Sequence, residues 1–204
     1  MAFQYSGVGS RINATFSNTA TGTTGKREIL YNVCTQLVNA GWTVTTGSLS
    51  PTTDDIIVAS AATPAGHRMK LRFDTTTATN CCRIRAMKYS DELVVQSGGH
   101  YLLPAISKNW RVICGPYQVF AFEPSGNNGR SHFYAGCPWV PNFLSVTDNF
   151  WSYSNCQSDT DGTTGGWRYC IAGALQNTFG NQYCLIGSNV CENTNNLQNT
   201  QFSG

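Results

Sequence analysis

Three histidines, His67, His100 and His132, are the side chains of this sequence best suited to acid–base or metal chemistry. None of them lies in an HExxH motif or an HxH pair, and the cysteines form no CxxC pair. The spacing therefore predicts neither a zinc ribbon nor a thioredoxin-like site. A cysteine and a histidine brought together only by the fold would make a hydrolase, and this stays an alternative.

Two further stretches resemble ligand loops but depart from the pattern that each chemistry requires. In DTDGTTGG, residues 159–166, the twelfth position of a calcium loop is Cys170, where the pattern needs a bidentate glutamate. In GTTGK, residues 22–26, the first glycine of a phosphate loop is missing and no serine or threonine follows the lysine. We therefore expect no catalytic centre, no metal and no cofactor, and the sequence does not favour a small-molecule ligand.

Nine cysteines are an unusual load for a chain whose N-terminus shows no secretory signal. Cytoplasmic synthesis followed by release in a particle would reconcile the two, because disulfides form after release. The odd count leaves at least one thiol without a partner in the chain, either free or bonded to another chain, and Cys191 is our leading candidate for a disulfide between chains. The alternative is that most are buried thiols acting as small apolar groups. The disulfide candidates are Cys81, Cys82, Cys184 and Cys191.

Two predicted strands, MKLRF and CRIRA, alternate apolar and basic residues. If they pair as a hairpin, four cations share one face, and like charges opposite each other are destabilising. Either Asp54, Asp55 or Glu92 neutralises them, or the face meets an acidic partner. If Asp54 and Asp55 do not pair with these cations, we interpret them as part of a solvated turn. The four cations are Lys70, Arg72, Arg83 and Arg85.

The segment GCPWVPNF, residues 136–143, is stiffened by two prolines and carries Trp139 and Phe143. The two aromatic side chains either pack under a loop or anchor a subunit interface. We treat both as interface candidates.

One helix is predicted, over residues 25–40, with Thr23 or Thr24 as its cap. Apolar residues recur there at three- and four-residue spacing, and Gly41 is placed to end the helix in the left-handed conformation. The residues expected to be buried are Leu30, Val33, Leu37 and Val38.

The rest of the pattern is β. Strands are expected at 42–46, 56–60, 69–74, 82–87, 93–96, 110–114, 117–122, 131–135, 167–172 and 182–186, with a hairpin turn at 127–129. Short strands with turn signals favour an α+β, mostly β fold: an antiparallel sandwich or barrel-like sheet with one packed N-terminal helix. We expect an extended arm or edge strand over residues 1–24, one domain over 25–187 and a polar tail over 188–204. The arms, which lack a pattern able to bury them, would lie on neighbouring chains.

Composition limits the partners. Charged residues make up 12% of the chain and the net charge is +2, which gives no electrostatic case for nucleic acid or membrane binding. No apolar run approaches the ~20 residues of a transmembrane helix.

An amphipathic helix that ends in AGW and runs into a strand resembles structural proteins of tailed bacteriophages. The block NWRVICGPYQVFAFEPSGNNGRSHFYAGCPWVP, residues 109–141, is similar to a strand-pair pattern in the same proteins. The resemblance implies a virion component of the tail, neck or baseplate, or of the capsid surface, which associates with itself and with other virion proteins. A carbohydrate-binding β module, which would use the aromatic residues and asparagine-rich loops, is the first alternative and the hydrolase is the second.

Overall fold

The computed structural model describes residues 11–64, 66–76, 81–89, 100–102, 109–122, 132–137, 150–157, 167–176 and 182–186. These residues form one helix and twelve strands. In chain order the elements are β1 Ile12–Ser17, α1 Gly22–Asn39, β2 Thr43–Thr46, β3 Asp55–Ala59, β4 Met69–Asp74, β5 Cys82–Lys88, β6 His100–Leu102, β7 Asn109–Gly115, β8 Gln118–Phe122, β9 His132–Gly136, β10 Phe150–Gln157, β11 Trp167–Gln176 and β12 Gln182–Ile186.

The strands form two antiparallel sheets. One has seven strands in the order β1-β7-β8-β9-β10-β11-β12, and the other has five in the order β2-β3-β4-β5-β6. Within each sheet, chain neighbours are also sheet neighbours, except that β1 joins the edge beside β7. The expected class, α+β and mostly β with one packed helix, is confirmed.

A single core lies between the two sheets, and α1 packs against strands of both. Alternation in β4 and β7 turns Leu71, Phe73, Trp110 and Val112 inward, where they meet the apolar stripe of the helix. Burial of Leu30, Val33 and Leu37 is confirmed, whereas the expected burial of Val38 is wrong because this side chain lies at the margin of the stripe and is half exposed.

The end of α1 is as expected, and its start is not. Gly41 has a φ of 102°, its N–H donates to Val38 O, and the N–H of Trp42 donates to Leu37 O. These two bonds form a Schellman motif, which only a residue at ease with positive φ permits. The helix begins at Gly22 rather than residue 25, after Thr21, whose side chain makes no capping hydrogen bond. Three threonines within four residues, Thr21, Thr23 and Thr24, left the start ambiguous in the sequence.

Trp42 joins the helix to the seven-stranded sheet. Its ring is almost fully buried, and Nε1 donates to the carbonyl of Gly115 at 2.9 Å. The tryptophan of the AGW segment is therefore a link between the end of the helix and the end of β7.

The strand predictions at 69–74 and 182–186 match β4 and β12 in both bounds, and most of the others shift by one or two residues. The strand at 93–96 and the turn at 127–129 lie outside the described residues, although the hairpin of β8 and β9 is present. Two strands, β6 and β10, were not predicted from the sequence. Strand β1 is the edge strand that was one of the two alternatives for residues 1–24. The placement of the arm on a neighbouring chain is wrong for residues 12–17, because β1 pairs with β7 of its own chain.

Candidate interaction surfaces

The outward side of the seven-stranded sheet carries an apolar and aromatic cluster where solvent-facing polar residues are usual. Inward positions of β7, β8 and β9 belong to the core, so their alternate residues face away from it. All of the cluster's members are half-buried. We name it the aromatic face, and it consists of Ile113, Phe120, Phe122 and Tyr134.

Strand register brings these side chains together. Phe120 lies opposite Ile113 on one side and Tyr134 on the other. The rings of Phe120 and Phe122 stack at 4.7 Å between centroids and 25° between planes, and Tyr134 tilts against Phe120 at 6.5 Å. The two phenylalanine rings therefore cover one face of each other.

Tyr134 also leans over Gly136. A Cβ at Gly136 would come within 2.9 Å of the tyrosine oxygen and 3.1 Å of Gln118 Cβ, so a larger residue there would require the tyrosine side chain to shift. The Tyr134 hydroxyl donates to Gln118 Oε1 at 3.3 Å, which fixes the ring along the strand. In the strand register, Tyr134 lies opposite Tyr153 of β10, and Tyr153 in turn lies opposite Ile171 of β11.

The predicted basic hairpin exists. Strands β4 and β5 pair antiparallel, with Arg72 directly opposite Arg85. We name the four predicted cations Lys70, Arg72, Arg83 and Arg85 the basic face; their strand alternation turns them away from the core.

Carboxylates of the same chain neutralise two of these cations. Arg72 donates to Asp55, with Nε 2.8 Å from Oδ1, and Arg85 Nη2 lies 3.2 Å from Asp74 Oδ2. Neutralisation within the chain is therefore confirmed for Arg72, whose partner Asp55 was one of the expected acids. Arg85 is also neutralised within the chain, but by Asp74, which was not expected from the sequence. Glu92 lies outside the described residues.

The basic face is less open than the alternation suggested. Arg83 is 9% exposed, and Ile57 and Met87, which share this side of the sheet, are about as buried. Burial, followed by the charge of Arg83, lowers the pKa of Arg85. The more accessible charges lie toward the Met69 end of the hairpin, where the guanidinium of Arg68 lies 3.7 Å from the centroid of the Tyr89 ring and Lys70 Nζ lies 5.2 Å from it.

Asp54 belongs to a different contact. Its carboxylate accepts a two-pronged hydrogen bond from Arg27 of the helix and another from the Thr75 hydroxyl. These hydrogen bonds lower the pKa of Asp54 to about 2. The interpretation of Asp54 and Asp55 as a merely solvated turn is wrong, because each makes an ion pair that ties β3 to another element.

Glu28 ties β1 to the helix in the same manner. It accepts hydrogen bonds from the backbone N–H of Thr19 at 2.8 Å and of Ala20 at 3.3 Å, and from Asn18 Nδ2 at 3.1 Å. Partial burial raises the pKa of Glu28, but these donors together outweigh it, and the net shift is downward. The edge strand is thereby held at a defined position on the helix.

Five cysteines lie in the part of the chain whose side chains are described, and all five are buried thiols: Cys34, Cys81, Cys82, Cys114 and Cys137. Burial raises the pKa of Cys34 and Cys82, and that of Cys114 to about 12, which disfavours the reactive thiolate. The expected disulfide role of Cys81 and Cys82 is therefore not what this structure shows, since full burial within the core of one chain makes them apolar packing groups. Cys184 lies on β12, and Cys191 lies outside the described residues.

The three histidines lie on three different elements of the fold. His67 is fully buried in a turn, where its backbone N–H donates to Thr63 Oγ1. His100 and His132 lie on β6 and β9, which belong to different sheets but contact each other. Among the described residues, no group of three or more His, Cys, Asp or Glu is arranged to hold a metal ion. Trp139 and Phe143 lie outside these residues.

The described part of the chain contains no helix that is both long and apolar enough to span a membrane.

The aromatic face was the surface that sequence reasoning missed. Alternation in β8 already turned Phe120 and Phe122 away from Val119 and Ala121, so aromatic residues on the side opposite the core positions were a usable signal. In comparisons with known proteins, no family model, no curated protein and no solved structure matches this chain.

Proposed function

We propose that this protein is a structural component of a tailed-phage virion, in the tail, neck or baseplate, and that it acts in many copies by associating with itself. The observation that carries the proposal is the aromatic face. A sheet whose inner side already forms the core needs no aromatic residues on its outer side for folding. Clustered aromatic side chains in that position are typical of protein–protein contacts.

The geometry of the rings favours a protein partner. Phe120 stacks on Phe122 and meets the tilted ring of Tyr134, so one face of the Phe120 ring is already occupied within the chain. Such a packed ring cluster, with the half-buried Ile113 beside it, suits the apolar core of a subunit contact, where shape and buried area decide affinity.

A carbohydrate-binding β module is the second candidate, and one observation favours it. Tyr134 lies across Gly136 with its hydroxyl bonded to the amide of Gln118. An aromatic ring beside an amide can both stack against a sugar ring and hydrogen-bond its hydroxyls. The ring–ring stack beside it leaves little further area for a second sugar.

The mass of the native protein, measured by light scattering over a range of concentrations, tests the first proposal. We expect an oligomer for the natural chain and a shift toward monomer for the double variant Phe120→Ser, Phe122→Ser. The matched control is Phe120→Leu, Phe122→Leu, which keeps the apolar area and should still associate. A natural chain that is monomeric up to high concentration would contradict the proposal.

The variant Tyr134→Leu separates the two candidates. Leucine keeps apolar area but has neither the ring nor the hydroxyl, so a sugar-stacking site at Tyr134 would lose glycan binding while a protein contact would survive. Glycan binding by the natural chain that is lost in Tyr134→Leu would favour the carbohydrate module.

Disulfides between chains are a further prediction of the virion proposal. We expect at least one, with Cys191 as the leading candidate, and each would contribute about 2–4 kcal/mol to the assembled particle. The measurement is non-reducing electrophoresis of particles whose remaining thiols were first blocked. A monomeric band with all nine thiols alkylated would remove disulfides from the proposal.

A further inference from the structure

The two sheet edges nearest the helix differ in how they are protected. Strand β2, at the edge of the five-stranded sheet, has four residues and a register irregularity between Val44 and Thr46. Strand β1, at the edge of the seven-stranded sheet, pairs with β7 over six consecutive residues without interruption. Natural edge strands are usually blunted by a bulge, a proline or a charge, and β1, with the sequence INATFS, has none of these.

We propose that β1 is an assembly edge, at which the β1 strands of two copies pair antiparallel around a two-fold axis at Ala14. The two seven-stranded sheets would then form one continuous sheet. The inference rests on the proposed self-association and names its partner, a second copy of this chain.

Alternation along β1 makes the strand complementary to itself. The inner side carries Ile12, Ala14 and Phe16, and the outer side carries exposed polar residues. Residues directly opposite each other in an antiparallel pair share a face, so only registers that match inner with inner are allowed. With Ala14 on the axis, Ile12 meets Phe16 of the second copy on the inner side, and Asn13 meets its Thr15 on the outer side.

The two neighbouring allowed registers are worse. With Thr15 on the axis, Ile12 would lie opposite Asn18, which follows the strand and is buried, with Nδ2 bonded to the carbonyl of Gly25. An apolar side chain would then face a polar one, and Asn18 would have to give up its hydrogen bond to the helix. With Asn13 on the axis, Phe16 would lie opposite residue 10, which precedes the strand, so the paired segment would be shorter. The structure therefore favours Ala14 as the centre.

Pairing would also complete the core at this edge. Ile12 and Phe16 pack against the core cluster but stay half exposed, and Phe16 stacks on Trp110 at 6.4 Å. A strand of the second copy would bring a second Phe16 and Ile12 beside them. Apolar surface removed from water in this way adds to the main-chain hydrogen bonds of the new ladder.

The strand is held ready for such a contact. Glu28 fixes the connection that follows β1, and Asn13 Oδ1 accepts a hydrogen bond from Arg111 Nε of β7 at 2.9 Å. An edge that is already ordered loses little conformational freedom when it pairs.

The test uses the full chain and the double variant Asn13→Glu, Thr15→Glu. Both positions are exposed and lie beside Arg111 of β7, so acidic side chains keep an acceptor for its guanidinium and the fold should be kept. Each glutamate would face a glutamate of the second copy across the proposed axis. We expect association to weaken about tenfold, which corresponds to about 1.4 kcal/mol. The matched control is Thr43→Glu, Thr45→Glu on the bulged edge β2, which should associate like the natural chain.

A second variant, Ala14→Cys, tests the register directly. Two residues paired across an antiparallel axis lie about 4.5–5.5 Å apart, within disulfide reach. Mild oxidation should give a covalent dimer in which the two chains are joined at position 14, and mass spectrometry of the digested dimer identifies that link and separates it from any disulfide of the natural cysteines.

The outcomes separate this inference from the function on which it rests. If the natural chain associates but the β1 glutamates change nothing and Ala14→Cys does not cross-link, edge pairing is overturned and self-association stands. If the backbone amides of β1 on the outer edge are protected from hydrogen exchange in the monomer, the chain covers its own edge and the inference is wrong. A monomeric natural chain would overturn both.

Discussion

Replacing Trp42 by phenylalanine should destabilise the protein more than the same replacement at Trp110, although both rings are buried. Trp42 Nε1 donates to the carbonyl of Gly115, which lies buried at the end of β7. Trp110 Nε1 is buried and has no hydrogen-bond partner within the described structure. The pair of variants thus isolates one hydrogen bond between the end of the helix and the seven-stranded sheet.

The magnitudes follow from the two environments. Shrinking a buried indole to a phenyl ring costs about 1–2 kcal/mol in lost packing at either site. At Trp42 the lost bond and the stranded carbonyl add about 1–2 kcal/mol, which gives about 2–4 kcal/mol in total. At Trp110 the loss of an unsatisfied donor offsets about 1 kcal/mol, which leaves about 0–1 kcal/mol.

Urea unfolding followed by circular dichroism at one protein concentration measures both differences, because the signal does not depend on the tryptophans replaced. For a chain of this length, the melting temperature of Trp42→Phe should fall by roughly 5–10 °C. A Trp110→Phe variant that is destabilised as much as Trp42→Phe would refute the assignment of the Gly115 hydrogen bond as the difference between the sites.

Three further results are expected. The folded pKa of Asp54 is about 2, below its ordinary value, so its carboxylate stabilises the protein above about pH 4 and loses this contribution as the pH falls toward 2. In Asp54→Asn, the melting temperature should therefore change less with pH over that range. Because the side chain is one-third exposed, this replacement should cost about 1 kcal/mol of stability at neutral pH. Gly41→Ala should cost at least about 1 kcal/mol of stability because the φ of Gly41 is 102°. Gly115→Ala should cost less, because an added Cβ there meets nothing within 4 Å. Equal urea midpoints for the two variants would show that Gly41 does not adopt this positive φ. Charge reversal at Arg83 and Arg85 should weaken association more at low salt than at high salt. Unchanged association at both salt concentrations would remove the basic face from the interface. The melting temperature is the control for folding, because Arg85 also forms an ion pair with Asp74 of its own chain.

Local patterns in the sequence were enough to predict the elements with strong periodicity. The helix, its glycine end and the bounds of β4 and β12 follow from side-chain spacing and from the single residue type that accepts positive φ. The alternation in MKLRF and CRIRA likewise predicted which residues face away from the core. Such features depend on residues within a few positions of each other, so the chain itself specifies them.

Contacts between distant residues were decided only by tertiary structure. Strand β1 carries a polar and weakly apolar sequence that reads equally well as an arm, and its place beside β7, about a hundred residues later, makes it a strand and leaves it at an edge. The pairing of Arg85 with Asp74 and of Asp54 with Arg27 depends on strand register and on where the helix lies. The aromatic face was visible as alternation in β8, but which side of β8 faces the core is settled by the packing of α1 and the opposite sheet, because alternation gives two equivalent sides until one of them is buried.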